Sequence, residues 1–213
     1  MDKAEVIDFF SQYILGWMCT DIESCIKARA NWAVAALLMS YSENVGSLIE
    51  GHLGMTGQGE PDFNKFLEYL EFNGDPNYYK NFKIKYQDSG SSPVKTVGIY
   101  KAVRCGLIHE YSPKVSCIIE NNSDNVDNCR EDDPGIGWQN PGSLSSSMVH
   151  SGYSGYMPSV STTTPTLRFQ TNAYFRDFRN ALNKIYRNIS IDTVLLNNVQ
   201  KSLERVSNRK LIP

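Results

Sequence analysis

Three residues in this 213-residue chain stand out for their chemistry: Arg104, His109 and Tyr111, within the run Arg104-Cys105-Gly106-Leu107-Ile108-His109-Glu110-Tyr111. A histidine with a pKa of ~6.5 can take or release a proton at neutral pH. A guanidinium is permanently charged and can hold two phosphate oxygens at once. A tyrosine can donate to phosphate or stack on a base. RNA cleavage without a metal requires a base for the 2′-OH proton, an acid for the departing 5′-oxygen, and positive charge on the crowded phosphate. These residue types match that set.

The triplet must be presented by a helix. Ser92 and Pro93 read as an N-cap and first helical residue, and Val97, Tyr100, Val103, Leu107 and Ile108 supply an apolar face. Ser112-Pro113 stops the helix near Tyr111. On a regular helix Arg104 and His109 lie about 140° apart, whereas Arg104 and Tyr111 lie about 20° apart. Two arrangements reconcile this with a shared phosphate: the helix end unwinds around Gly106, or two chains bring their motifs together across a two-fold axis.

The remaining elements are mainly helical. Val6, Phe9, Phe10, Tyr13, Ile14 and Trp17 form one apolar stripe over residues 4–18. Thr20-Asp21-Ile22-Glu23 has the capping-box pattern and predicts a long helix to about residue 50, ended by Gly51 and Gly54. Residues 62–72 predict a shorter helix, and Tyr78 to Tyr86 a further one. Lys114 to Ile119 and Thr166 to Gln170 read as strands. Residues 121–164, crowded with Asn, Asp, Gly, Ser, Thr and Pro, read as an insertion on a β-hairpin, with short strands near Val149 and Tyr153. Residues 172–188 and Ser190 to Val206 predict two closing amphipathic helices.

The expected fold class is therefore mainly α: a helical bundle with a β-hairpin carrying a long insertion after the motif helix. A single domain spans 1–213, made of the bundle with the motif (1–111), the hairpin with its inserted loop (112–170, insertion 121–164) and the C-terminal helices (171–213).

The net charge of -2 argues against whole-molecule attraction to polyanions. Charge is nevertheless segregated. Residues 165–213 hold nine basic and three acidic residues, while 120–133 holds six acidic residues and Arg130. The basic C-terminal helices read either as an RNA path or as a solvated face. Five cysteines without a C-x-x-C pair suggest reduced thiols. The opening Met-Asp-Lys-Ala-Glu lacks the pattern of a signal peptide, and no apolar run reaches the ~18 residues of a membrane span. The expectation is a cytoplasmic protein with no membrane contact. His52 reads as a helix-end cap and His150 as solvated. No metal site and no cofactor are expected. Gly135-Ile136-Gly137 lacks the third glycine of a dinucleotide loop.

Through Arg104, His109 and Tyr111, placed at the end of a proline-stopped helix, the chain resembles the HEPN superfamily. Its ribonuclease members carry Arg-x(4–6)-His near a helix end within a bundle of four or five helices. The R-x4-H-x-Y form is similar to HEPN toxins paired with a nucleotidyltransferase antitoxin. Residues 112–213 look more like the longer HEPN-like proteins of prokaryotes. The resemblance implies a homodimer with the active cleft at its interface and a metal-independent endoribonuclease activity through Arg104, His109 and Tyr111. It also implies that Tyr111 is the residue blocked by nucleotide transfer from an antitoxin. Active relatives often have a polar residue after the arginine, where this chain has Cys105. That departure favours the alternative, a HEPN-like module that binds RNA, a nucleotide or a partner protein without cleaving.

Overall fold

A computed structural model describes residues 1–87, 92–110, 113–115, 117–121, 129–139 and 166–208. The chain opens with α1 (Lys3–Phe9), a π-helical segment (Phe10–Met18) and α2 (Cys19–Lys27), which run on as one rod. A capping box does start it, but at Asp2: its carboxylate accepts from the Glu5 amide at 2.9 Å, and Glu5 accepts from the Asp2 amide at 2.7 Å. The expected box at Thr20 is absent. Thr20 lies inside the helix, where its hydroxyl donates to the Gly16 carbonyl at 2.8 Å. The chain breaks later, at residues 28–30, where Arg29 takes a positive φ of 56°.

The π-helical segment absorbs one surplus residue. Buried Val6, Phe10 and Ile14 follow at steps of four, the next buried residue is Cys19, and Ile22 and Ile26 complete the face. Only part of the expected stripe is therefore internal. Tyr13 and Trp17 are 40% and 63% exposed; Tyr13 stacks on Phe9 and meets Trp17 edge-on.

α3 (Asn31–Ile49) is the central helix, with Val34, Ala35, Leu38, Met39, Ser42, Val45, Gly46, Leu48 and Ile49 buried. α4 (Gly59–Leu67) lies against it at backbone contact, since a Cβ on Gly46 would fall 1.8 Å from the Asp62 carbonyl oxygen. α7 (Thr171–Ile189) buries Tyr174, Phe175, Phe178, Leu182 and Ile185 as its periodicity predicts. α8 (Thr193–Ser207) satisfies the carbonyls left open at the end of α3. Asn198 donates to Ile49, Ser202 to Leu48 and Arg205 to Gly51.

Between α4 and the motif, two expectations fail. Tyr78 to Tyr86 is not a helix but a single turn, α5 (Tyr78–Asn81), followed by β1 (Ile84–Tyr86). The motif helix does not begin at Pro93, because Lys95–Val97 forms β2, antiparallel to β1 with Ile84 opposite Val97. The alternation of buried Ile84 with exposed Lys85 is a strand period of two. The motif helix begins after Gly98 as a second π-helical segment (Tyr100–Arg104) and continues as α6 (Cys105–His109).

β5 (Thr166–Gln170) is a strand over the expected residues and β3 (Cys117–Glu120) starts three residues later than Lys114, but the two do not form a hairpin. They pair in parallel, and β4 (Ile136–Gln139), inside the supposed insertion, pairs antiparallel with the other edge of β5. Parallel neighbours need a crossover connection, so the intervening chain is part of the sheet's topology and not an appendage to a turn. Gly135 precedes β4 because α7 crosses it closely: a Cβ there would meet Tyr174 Cα at 2.4 Å. The proposed strands near Val149 and Tyr153, and His150, lie outside the described residues.

The segregated charges find each other. Arg168 pairs with Glu120 and with Asp133, the latter at 3.0 Å. Arg176 pairs with Asp177 at 2.8 Å and donates to the Arg130 and Asp133 carbonyls. Tyr79, fully buried, donates to Asp177 at 2.5 Å and accepts from the Gly135 amide at 2.8 Å. Burial drives the Tyr79 phenol well above its ordinary value, and Asp177 adds to the effect. Several basic residues of the C-terminal region thus hold the sheet and α8 in place.

Candidate functional site

The motif helix lies against α3 and α4. It buries Ile99, Ala102, Val103, Gly106 and Leu107, which leaves Arg104 at its edge and His109 exposed at its end. The Cys105 amide donates to the Tyr100 carbonyl, five residues back, which is the wide π turn. The Lys114 amide returns to donate to the Ala102 carbonyl at 2.9 Å. The helix does not unwind at Gly106, for α6 runs through it to His109.

Within one chain, Arg104 Nη1 lies 3.4 Å from His109 Nε2. The length of the arginine side chain bridges the angular offset that a straight helix imposes, so no second chain is needed to bring the two together. A guanidinium has only donors, so a hydrogen bond here requires the His109 tautomer that leaves Nε2 unprotonated. Tyr111 lies outside the described residues.

Glu43, not singled out in the sequence, and Tyr100, expected on the apolar face of the motif helix, complete the surroundings of Arg104. Glu43 Oε2 of α3 lies 2.5 Å from Arg104 Nε, with side chains 23% and 14% exposed. Both atoms are shielded from water, and they meet as a close ion pair. The guanidinium carbon also lies 5.4 Å from the centre of the Tyr100 ring. Gly59, the first residue of α4, makes room for this cluster: a Cβ there would meet the Tyr100 hydroxyl at 2.5 Å and Glu43 Oε1 at 2.9 Å.

Burial raises the Glu43 carboxyl above the ordinary carboxylate range; Arg104 and His109 oppose the shift, and Asp62 adds to it. Asp62, almost fully buried, accepts or shares a proton with His52 Nδ1 at 2.8 Å. His52 therefore pairs with a buried carboxylate, where the sequence suggested a helix-end cap. Two carboxylates, Asp62 and Glu43, thus lie between His52 on one side and Arg104 with His109 on the other.

A signal for Glu43 was present: it is the one charged residue in the 19 of α3. A lone carboxylate on a nearly all-round buried helix needs a partner. What the sequence could not say was which cation would meet it.

The chain matches no family model, no curated protein and no solved structure. The chemistry of the site has to be read from its own residues. No helix among the described residues is long and apolar enough to cross a membrane.

Proposed function

We propose that the chain is a HEPN-like endoribonuclease in which Arg104 holds the scissile phosphate and His109 moves the protons without a metal. The observation that carries this reading is the 3.4 Å approach of Arg104 Nη1 to His109 Nε2, with the imidazole exposed to solvent. Nε2 has a single lone pair, so the guanidinium turns from it to the phosphate before the imidazole acts as a base. The freed Nε2 takes the proton of a ribose 2′-OH, the 2′-oxygen attacks phosphorus, and the bond to the 5′-oxygen breaks. Arg104 offsets the charge that gathers on the equatorial oxygens. The products are a 2′,3′-cyclic phosphate and a 5′-hydroxyl. A homodimer with both motifs in one cleft supplies a second His109 to protonate the leaving oxygen. Tyr111 belongs to this reading by the resemblance, as a phosphate donor and as the acceptor of a nucleotide from a nucleotidyltransferase-type antitoxin.

The test is cleavage of single-stranded RNA in EDTA, with the ends identified by mass. Cyclic phosphate ends that disappear in His109→Ala support the reading, and full activity in that variant removes His109 from the mechanism.

A second reading, RNA or nucleotide binding without turnover, is favoured by Cys105 directly after Arg104 and by the ion pair that already neutralises the guanidinium. It predicts phosphate-ligand binding lost in Arg104→Ala, with no cleavage by either form.

A further inference from the structure

The Glu43–Arg104 pair bears on how a phosphate reaches this site. An arginine recognises a phosphate through parallel N–H donors in one plane. Here Nη1 is turned to His109 and Nε to a carboxylate, so the charge that should attract a phosphate is matched before any ligand arrives. The contact lies out of reach of water, since Arg104 Nε and Glu43 Oε2 are both shielded from solvent. Glu43 is also unfavourably placed as an anion: its carboxyl is raised by burial, and Asp62 is a second carboxylate nearby. The Tyr100 ring lies 5.4 Å from the guanidinium carbon, and Gly59 packs against the Tyr100 hydroxyl and Glu43.

We infer that Glu43 is a built-in competitor for the phosphate at Arg104: its carboxylate holds the guanidinium edge that a phosphodiester takes, and ligand binding displaces it. This rests on the proposed phosphate-binding role of Arg104, but not on turnover. Exchange of one anion for another at a fixed cation weakens ground-state affinity. It also selects for ligands with more negative charge than a carboxylate, such as a phosphate monoester or a run of phosphodiesters. A neutral or singly charged small molecule does not displace Glu43. The site thus discriminates by ligand charge before any base is read.

The experiment measures binding of two probes, inorganic phosphate and a short single-stranded oligonucleotide with uncleavable 2′-O-methyl riboses. Wild type is compared with Glu43→Gln, Glu43→Ala, Arg104→Ala and the double variant Glu43→Gln/Arg104→Ala, each checked for folding by circular dichroism. Both Glu43 variants are expected to bind both probes about tenfold tighter, the effect of removing a like charge a few ångströms from a ligand at a partly screened surface. The gain disappears when Arg104 is also alanine. Unchanged or weaker binding in both Glu43 variants overturns the inference, as does a gain that survives Arg104→Ala. The nuclease reading fails separately. If Glu43→Gln tightens binding through Arg104 and no form cleaves RNA, competition stands and turnover falls. If wild type cleaves and the Glu43 variants bind no tighter, turnover stands and competition falls.

Discussion

Arg104 Nη1 and His109 Nε2 face each other at 3.4 Å within a single chain. Because the guanidinium only donates, Nε2 must keep its lone pair in this contact. The expected state of His109 is the tautomer with its proton on Nδ1. Nitrogen-15 NMR of the imidazole reads this directly. A proton on Nε2 in the free protein shows that the contact is not a hydrogen bond.

The two residues should fail differently when removed. Arg104→Ala is expected to weaken binding of an uncleavable RNA and to reduce its salt dependence by about one phosphate contact. His109→Ala is expected to leave that binding intact while lowering cleavage by about a hundredfold or more. Anisotropy titrations and a gel-based cleavage assay on the same preparations separate the two. Equal loss of binding in both variants argues against a proton-transfer role for His109.

How far this site was legible depends on the residue. That Arg104 and His109 share one helix, ending before Pro113, could be read from periodicity and a proline stop. The start of that helix could not, since Ser92-Pro93 imitates a cap while Lys95–Val97 pairs with Ile84–Tyr86. That pairing joins two three-residue strands, each too short to show a clear period by itself. Thr20 misled for a related reason: a capping box is a side-chain pattern that works only where the backbone breaks, and the π-helical segment lets the rod continue. The parallel pairing of β3 and β5 was invisible because strand direction depends on the path of the chain between them. Tyr174, Phe175, Phe178, Leu182 and Ile185 were read correctly because a strong amphipathic period over a 19-residue helix dominates local ambiguity.

Tyr79 links three parts of the fold through one hydroxyl, donating to Asp177 and accepting from the Gly135 amide. Tyr79→Phe leaves a buried carboxylate oxygen and a buried amide without a partner. The expected cost is about 1–3 kcal/mol, seen as a lowered urea midpoint with an unchanged m-value. A neutral result indicates that water replaces the hydroxyl.

Asp177 sets a pH dependence. Burial raises its carboxyl above the ordinary carboxylate value of 3.8, although Arg176 and Tyr79 pull it down. The folded state therefore binds this proton more readily than the unfolded chain does. Its contribution to stability is fully present below the unfolded value and is lost as pH rises through the higher folded value. Urea unfolding of wild type across the mildly acidic range is expected to contain this downward component. Asp177→Asn should lack it, and identical pH slopes in the two forms contradict the assignment.

Gly46 tolerates no side chain. An added Cβ lands 1.8 Å from the Asp62 carbonyl oxygen, so α3 and α4 must separate. Gly46→Ala is expected to destabilise by about 3 kcal/mol or more. If the variant still folds, the shift should also disturb the neighbouring His52–Asp62 contact, visible in the His52 ring resonances.

A helix that swells to hold one extra residue keeps its two ends in register with neighbours that would otherwise disagree. The wide turn at Tyr100–Arg104 therefore acts as a phase adjuster. Loss of a single codon there would tighten the coil and swing Arg104 and His109 around the axis together, away from Glu43. Their mutual contact would survive while their address on the surface changed. In this fold, retargeting the pair is a matter of chain length over one turn, with no change to the chemical groups themselves.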